Sequence, residues 1–103
     1  MSLTPDSFTG SFIVSLTVNV KPEKIAEVEK LLHENDTYAK ENEPGRLYFY
    51  KARSGNTFYC WEKYADKDKF QFHVENNTGL KAFKEKANKL LDGPMKVAFL
   101  QEI

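Results

Sequence analysis

The chain has 103 residues, of which 41% are hydrophobic and 14% aromatic, and this predicts one domain with one packed core. Its 15 Lys and Arg residues balance 15 Asp and Glu residues, which argues against a nucleic-acid-binding protein, because such proteins carry a clustered basic excess. No apolar run is long enough to span a bilayer, and no secretory signal is recognised. Cys60 is the only cysteine, so we expect a cytoplasmic protein in which this thiol is a buried apolar group.

The N-terminal half begins with a segment that shows no periodicity, residues 1–10, which is predicted to be a flexible tail before a single domain over residues 11–103. Residues 12–20 alternate between apolar and polar side chains, which is typical of a strand with one strongly apolar face. A helix is expected next, because Pro22 suits a first helical position and apolar residues then recur at helical spacing up to the breaker pair Pro44-Gly45.

Two aromatic, β-prone segments, residues 46–53 and 57–64, flank Ser54-Gly55-Asn56 and are predicted to form a hairpin. A second helical region follows in two pieces, over residues 67–75 and 80–91, separated by a polar interruption. Asp66 is the expected N-cap of the first piece.

A last strand is predicted for residues 95–103, after the break at Asp92-Gly93-Pro94. The order of elements is then β-α-β-β-α-β, the ferredoxin-like pattern of the α+β class. It predicts a four-stranded antiparallel sheet with the helices on one face, because right-handed crossovers place both helical regions on the same side.

The third predicted strand is apolar on both faces, since Phe58, Cys60 and Tyr64 project one way and Tyr59 and Trp61 the other. The helices cover only one face, so the second face needs another cover, and a symmetric partner subunit would supply it. We therefore expect a homodimer. The alternative is a partly exposed sheet face, which the polar tips of Tyr and Trp permit.

His73 is the candidate for chemistry. It lies on the apolar side of the short second helix, three residues after Phe70 and next to Val74. An imidazole held against an aromatic wall can accept a proton near neutral pH, so His73 is a candidate general base. The alternative is a half-buried core histidine without a chemical role.

Glu62 stands in the middle of a strand among aromatic residues. A buried glutamate needs a cationic partner, and we expect an arginine or lysine across the dimer to form an ion pair with it, in preference to a role as a catalytic base. His33 is expected on the surface of the first helix. His33, Cys60 and His73 lack the spacing of a metal-ligand set, so no metal site is predicted.

The layout of residues 12–103 resembles the antibiotic biosynthesis monooxygenase family, which includes the quinol monooxygenase-like proteins and is one branch of the dimeric α+β barrel superfamily. Four features carry the resemblance: the first strand leading into Lys21-Pro22, Pro44-Gly45 before the second strand, the Glu62-x-Tyr64 end of the third strand, and His73 nine residues after Tyr64.

The resemblance implies a homodimer with an apolar pocket between the sheet and the helices of each subunit. It also implies oxidation of anthrones or quinols by molecular oxygen without a cofactor. An electron-rich phenol can reduce oxygen once deprotonated, so the protein has only to bind it, deprotonate it and exclude water. Two departures stand out. Many relatives have a second histidine where this chain has Thr78, and haem-degrading relatives have an iron-binding histidine where it has Phe83, so haem is not expected.

Two functions follow as hypotheses. The first is a cofactor-independent monooxygenase of a small aromatic polyol, in which His73 accepts a phenolic proton. Its substrate-binding residues would be Leu16, Tyr48, Trp61, Tyr64 and Phe83. The second is a non-catalytic dimeric module that binds an apolar ligand or acts in a stress response. An isomerase-like activity with the same base is a third possibility.

Overall fold

An antiparallel sheet of four strands forms one layer of the protein and three helices form the other, in a computed structural model that describes residues 3–103. The strands are β1 (Phe12–Asn19), β2 (Arg46–Ser54), β3 (Thr57–Tyr64) and β4 (Lys96–Leu100), in the order β2-β3-β1-β4. The helices are α1 (Ile25–Asn42), α2 (Lys67–Asn76) and α3 (Thr78–Leu90). The ferredoxin-like α+β fold predicted from the sequence is confirmed.

The ends of several elements differ from the predicted ones. Pro22 begins a 3-10 turn, Pro22–Lys24, that leads into α1 instead of belonging to it. The α3 helix begins at Thr78 because the Asn77 side chain accepts a hydrogen bond from the Leu80 amide at 3.0 Å and caps it. Asp66 caps α2 as predicted, accepting from the Lys69 amide at 2.9 Å. The β4 strand is shorter than the predicted 95–103.

Near the N-terminus, Pro5–Ser7 form a 3-10 turn, and the Phe8 ring stacks on that of Phe12 with centroids 5.2 Å apart. The flexible tail over residues 1–10 and the single domain over 11–103 stay predictions, and residues 1 and 2 lie outside the described part of the chain. None of the helices in residues 3–103 has the length and apolar character to cross a membrane.

The core lies between the helices and one face of the sheet. Its larger cluster joins Val18 of β1 and Phe58 of β3 to Val28 and Leu31 of α1 and Phe83 of α3. A second cluster is aromatic, and in it Phe70 of α2 packs edge-on against Tyr64 of β3, with ring centroids 5.2 Å apart. This second contact fixes α2, and with it His73, against the sheet.

The hairpin between β2 and β3 determines which side chains meet the helices. It closes at Gly55-Asn56, where Gly55 has a φ of 60° that a glycine adopts without strain. At the other end, the pairing register shifts between Arg46 and Tyr48. This β-bulge places Arg46 on the helix side, opposite Tyr64, while Tyr48 faces the other side with its partner Lys63.

The face of the sheet away from the helices carries exposed aromatic side chains in the single chain. Tyr50 is 67% exposed, and Tyr59 and Trp61 are each 45% exposed on this face. The predicted division of the β3 side chains is therefore confirmed, since Phe58, Cys60 and Tyr64 are buried on the helix side. We call the exposed side chains of Tyr50, Tyr59 and Trp61, together with the partly buried Tyr48, the aromatic face.

Candidate active site

His73 lies in the second half of α2 and is almost entirely buried, with 3% of its surface exposed. Its ring packs against the Tyr64 ring, with centroids 5.4 Å apart. Its Nδ1 atom is 2.7 Å from Oε1 of Glu43, and its Nε2 atom is 3.4 Å from Oε1 of Glu62. The imidazole therefore stands between two buried carboxylates.

Glu43 determines which imidazole nitrogen carries a proton. It follows the last residue of α1 and is buried, and its Oε2 accepts a 2.7 Å hydrogen bond from Asn77 Nδ2. Burial raises the pKa of Glu43, but hydrogen bonds from His73 and Asn77 and the charges of His73 and Arg46 outweigh it, so the pKa is lowered overall. An ionised carboxylate only accepts hydrogen bonds, so Nδ1 of His73 is the donor and Nε2 is directed to Glu62.

Glu62, at the end of β3, is held by three groups at one oxygen. Its Oε1 accepts a 2.7 Å hydrogen bond from the Tyr64 hydroxyl and lies 3.4 Å from Nη1 of Arg46 and 3.4 Å from Nε2 of His73. Burial, and then the charge of the neighbouring Glu62, raise the pKa of Tyr64, so its hydroxyl stays protonated and donates. The expectation that a partner subunit supplies the cation for Glu62 is wrong, because Arg46 of the same chain does so.

Arg46 joins this group to α1. Its side chain is 3% exposed and donates to Asn35 Oδ1 at 2.6 Å and to Asp36 Oδ1 at 3.2 Å. The guanidinium also lies over the Phe49 ring, 4.2 Å from its centroid. The β-bulge is what turns Arg46 toward these partners, since without it the residue would point to the opposite face.

A cavity lies between the sheet and the helices, and its polar side chains are His73, Glu62 and Asn35. The space that centres of water molecules can occupy is about 50 Å³. Its apolar walls include Leu16, Val18, Leu32, Phe58, Leu80 and Phe83. A mostly apolar space with two titratable side chains is the usual form of a small-molecule site.

The predicted site residues fall into two groups. Leu16, Phe83 and His73 line the cavity, while Tyr64 lies behind them, fully buried and bonded to Glu62. Tyr48 and Trp61 lie on the aromatic face, on the opposite side of the sheet. Neither residue lines this cavity. The bulge in β2 directs Tyr48 away from the helices, and the alternation of side chains in β3 does the same for Trp61.

Sequence reasoning missed Glu43, Asn77, Asn35 and Arg46. The sequence could have indicated Glu43, because the helix dipole disfavours a negative charge at the C-terminal end of a helix. A glutamate at such a position therefore suggests a stabilising partner elsewhere in the structure. Asn77 was recognised only as part of a break between helices, although asparagine is a preferred N-cap. No local pattern marked Asn35 or Arg46.

His33 is exposed on α1, as expected. No group of three or more His, Cys, Asp or Glu side chains within residues 3–103 is arranged to hold a metal ion.

The ferredoxin-like fold and the buried His73 and Glu62 in a mostly apolar cavity define a class of small α+β proteins with a polar group in an internal pocket. The family model described as antibiotic biosynthesis monooxygenase matches residues 11–86, and the chain belongs to that family. No match is found among curated proteins.

Solved structures agree with this assignment. A "putative antibiotic biosynthesis monooxygenase" from Caulobacter crescentus CB15 is 28% identical, with a TM-score of 0.83 over 93% of this chain and 92% of that one. A protein of the same description from Nitrosomonas europaea is 18% identical, with a TM-score of 0.81 over 93% and 94%. The protein of unknown function NE2512 from Nitrosomonas europaea is 19% identical, with a TM-score of 0.78 over 91% and 90%. The last two comparisons establish the fold alone.

Proposed function

We propose that the protein is a cofactor-independent monooxygenase that oxidises a small aromatic polyol, of the quinol or anthrone type, in the cavity between sheet and helices. The observation that supports this most is the position of His73 and Glu62, two adjacent proton-accepting side chains in a mostly apolar space. The family to which the chain belongs supports the same class of reaction.

The chemistry asks the protein to remove one proton and to return it. The His73 and Glu62 pair removes a phenolic proton, and the electron-rich ring then passes an electron to molecular oxygen, after which the two radicals combine at a ring carbon. The resulting peroxide takes the proton back, and cleavage of its O–O bond with loss of the hydrogen on the same carbon releases water and leaves a carbonyl on the ring. Apolar walls such as Leu16 and Phe83 keep water from the reactive ring. A positioned base of this kind contributes a factor of roughly 10²–10⁴ to a rate.

The size of the cavity limits the substrate. The 50 Å³ open to water centres is far below the roughly 300 Å³ at which pockets for drug-sized ligands begin. A single-ring quinol therefore needs less rearrangement of Leu32 and Leu80 than a three-ring anthrone, and we expect it to be the better substrate.

The aromatic face supports a homodimer as the working form. Tyr50, Tyr59 and Trp61 are exposed next to one another on the sheet, and an exposed patch of large aromatic side chains marks an interaction site. A second copy of the same face would bury it symmetrically. We also propose a cytoplasmic location, which the single buried thiol of Cys60 favours.

The test is oxygen uptake by the purified protein with reduced benzoquinones, naphthoquinones and anthrones, corrected for spontaneous autoxidation. We expect uptake that saturates with substrate and falls at least about 100-fold in His73→Ala. His33→Ala is the matched control, because this exposed histidine on α1 lies outside the cavity and its loss leaves the rate unchanged. Uptake that persists unchanged in His73→Ala would remove His73 from the mechanism.

A non-catalytic ligand-binding or stress-response module is the second candidate. It is favoured by the completeness of the polar network, since no buried side-chain nitrogen or oxygen in residues 3–103 lacks a hydrogen-bond partner. Such a network stabilises the fold without a substrate. Binding of an aromatic ligand, with no oxygen uptake above the blank for any compound of the panel, is the result that this candidate predicts.

A further inference from the structure

We propose that Glu62, through its Oε2 atom, is the group that contacts the ligand, and that the cavity selects a neutral single-ring phenol by accepting a hydrogen bond from its hydroxyl. The proton-transfer part of this inference rests on the proposed function. The binding part does not, and it is tested separately.

The two oxygens of Glu62 differ in their surroundings. Oε1 takes the Tyr64 hydroxyl at 2.7 Å, with Arg46 Nη1 and His73 Nε2 each at 3.4 Å. Oε2 has no hydrogen-bond partner among residues 3–103. Every fully buried side-chain oxygen in that range has a partner, so Oε2 is not fully buried. The small exposed part of the Glu62 surface therefore includes Oε2. Glu62 also lines the cavity.

His73 commits one of its two ring nitrogens to another residue. Its Nδ1 is committed to Glu43 at 2.7 Å, and its Nε2 lies beside Oε1 of Glu62. No hydrogen bond joins Nε2 to Oε1, which are 3.4 Å apart, and both side chains line the cavity. In this proposal His73 is a positioning residue, because its imidazole packs beside Oε1 of Glu62 while Oε2 is left for the ligand.

The charges beside Glu62 favour a neutral hydrogen-bond donor. The carboxylate of Glu62 repels an anionic ligand. The buried guanidinium of Arg46, whose Nη1 lies 3.4 Å from Oε1, offsets the negative charge of this carboxylate and so weakens its attraction for a cation. A phenol presents one hydroxyl donor on an apolar ring, which matches the free acceptor at Oε2 and the apolar walls.

The reaction step that follows is a single proton transfer. The phenol O–H bond breaks, the proton joins Glu62 Oε2, and the electron pair stays on the phenolate oxygen. The negative charge moves from the carboxylate to the phenolate, so the total charge beside Arg46 does not change. The buried site therefore avoids the desolvation cost of a new charge.

The binding test compares 4-methylphenol with 4-methylanisole and 4-methylbenzoate, by NMR titration of the wild-type protein. The three probes share a ring and a methyl group but offer a hydroxyl donor, no donor and an anion. We expect the phenol to bind about tenfold or more tightly than the ether, because a hydrogen bond to a charged acceptor contributes that much, and the benzoate to bind most weakly.

Glu62→Gln keeps the shape of the side chain and removes its charge, so the preference for the phenol over the ether should collapse to less than about threefold. Glu85→Gln is the matched control, because Glu85 is exposed on α3 and lies outside the cavity, and the full preference should persist in it. Equal affinity of the wild-type protein for phenol and ether, or no binding of either, overturns the proposal without need of a variant. A preference that survives in a folded Glu62→Gln protein also overturns it.

Oxygen uptake separates this inference from the proposed function. If the phenol preference is lost in Glu62→Gln but the wild-type protein consumes no oxygen, the Glu62 site stands and the monooxygenase proposal fails. If oxygen is consumed, Glu62→Gln should lower kcat more than His73→Asn does, and His73→Asn should in addition shift the pH profile. A larger loss of kcat in His73→Asn than in Glu62→Gln would make His73 the group that contacts the substrate.

Discussion

Glu43 Oε1 lies 2.7 Å from Nδ1 of His73, although thirty residues separate them in the chain. The contact joins the C-terminal end of α1 to α2. The side chains of His73 and Glu43 are 3% and 2% exposed. A carboxylate is unfavourable at a helix C-terminus, where the dipole is negative. The hydrogen bonds from His73 and Asn77 offset this cost, so the position of Glu43 is explained by the site and not by the helix.

Removing the charge of Glu43 should alter the pH dependence of stability. The pKa of Glu43 is lowered in the folded protein, so its contribution is present above about pH 4.5 and is lost as the pH falls through the folded-state value. At pH 7 we expect Glu43→Gln to lower the free energy of unfolding by about 1–3 kcal/mol, and to make the loss below pH ~4.5 shallower than in the wild type. Urea unfolding between pH 3 and 7 measures both. Glu41→Gln, at an exposed position on α1, serves as control, and an equal slope in Glu43→Gln and wild type would contradict the prediction.

A side chain at Gly79 should separate α3 from α1. A Cβ there would collide with the backbone of Asn35 and with the Leu31 carbonyl. Alanine gains roughly 0.5–1 kcal/mol over glycine inside a helix. Overpacking against backbone costs about 1–3 kcal/mol, so the collision dominates. We expect Gly79→Ala to lower the melting temperature and to weaken ligand binding in the cavity, which Gly79 lines.

Gly10→Ala is the control for Gly79, because a Cβ at Gly10 meets nothing within 4 Å. Its melting temperature should match that of the wild type within error. A Gly79→Ala protein as stable as Gly10→Ala would show that α3 can shift without cost.

A charge on the aromatic face should prevent self-association. Trp61 is 45% exposed on this face, and burying a glutamate there without a partner costs several kcal/mol. We expect wild-type protein to be a dimer by light scattering and Trp61→Glu to be a monomer. Phe72→Glu tests whether any exposed aromatic residue has this effect, because Phe72 is 42% exposed but lies on α2. It should stay dimeric. A monomeric wild type, or a dimeric Trp61→Glu, would contradict the proposed interface.

Cys60 should be inert in the folded protein. Burial, and then the nearby charge of Glu62, raise the pKa of the Cys60 thiol to about 12 from 9.0. Since the thiolate is the reactive form, a shift of this size lowers its population about 1,000-fold at pH 8. Alkylation by iodoacetamide should therefore be slow in the native protein and fast in urea, as followed by mass spectrometry. Comparable rates in the two states would show that Cys60 is accessible and ionised.

Local sequence patterns predicted most of the fold. The alternation in residues 12–20, the turn at Gly55-Asn56 and the cap at Asp66 each depend on neighbours a few residues away. These signals sufficed for the order of elements and the placement of helices on one face. They also placed His73 on the inner side of α2, because helical spacing fixes a direction relative to Phe70.

The composition of the polar site needed the tertiary structure. Glu62 was recognised as a residue that requires a cation, but its partner was sought in a second subunit and not at Arg46. Sequence patterns did not show this pair because Arg46 and Glu62 lie on neighbouring strands, and a bulge between Arg46 and Tyr48 turns Arg46 toward Glu62. One additional residue in a strand reverses the direction of every side chain beyond it.

The sequence by itself therefore determined the ferredoxin-like fold and the inward position of His73, because periodicity and turn chemistry are local. Only the tertiary structure decided which residues meet His73. The bulge at Leu47 brings Arg46 to Glu62 and turns Tyr48 to the aromatic face, and the end of α1 brings Glu43 to the imidazole. Both depend on contacts between distant segments, which no local pattern encodes.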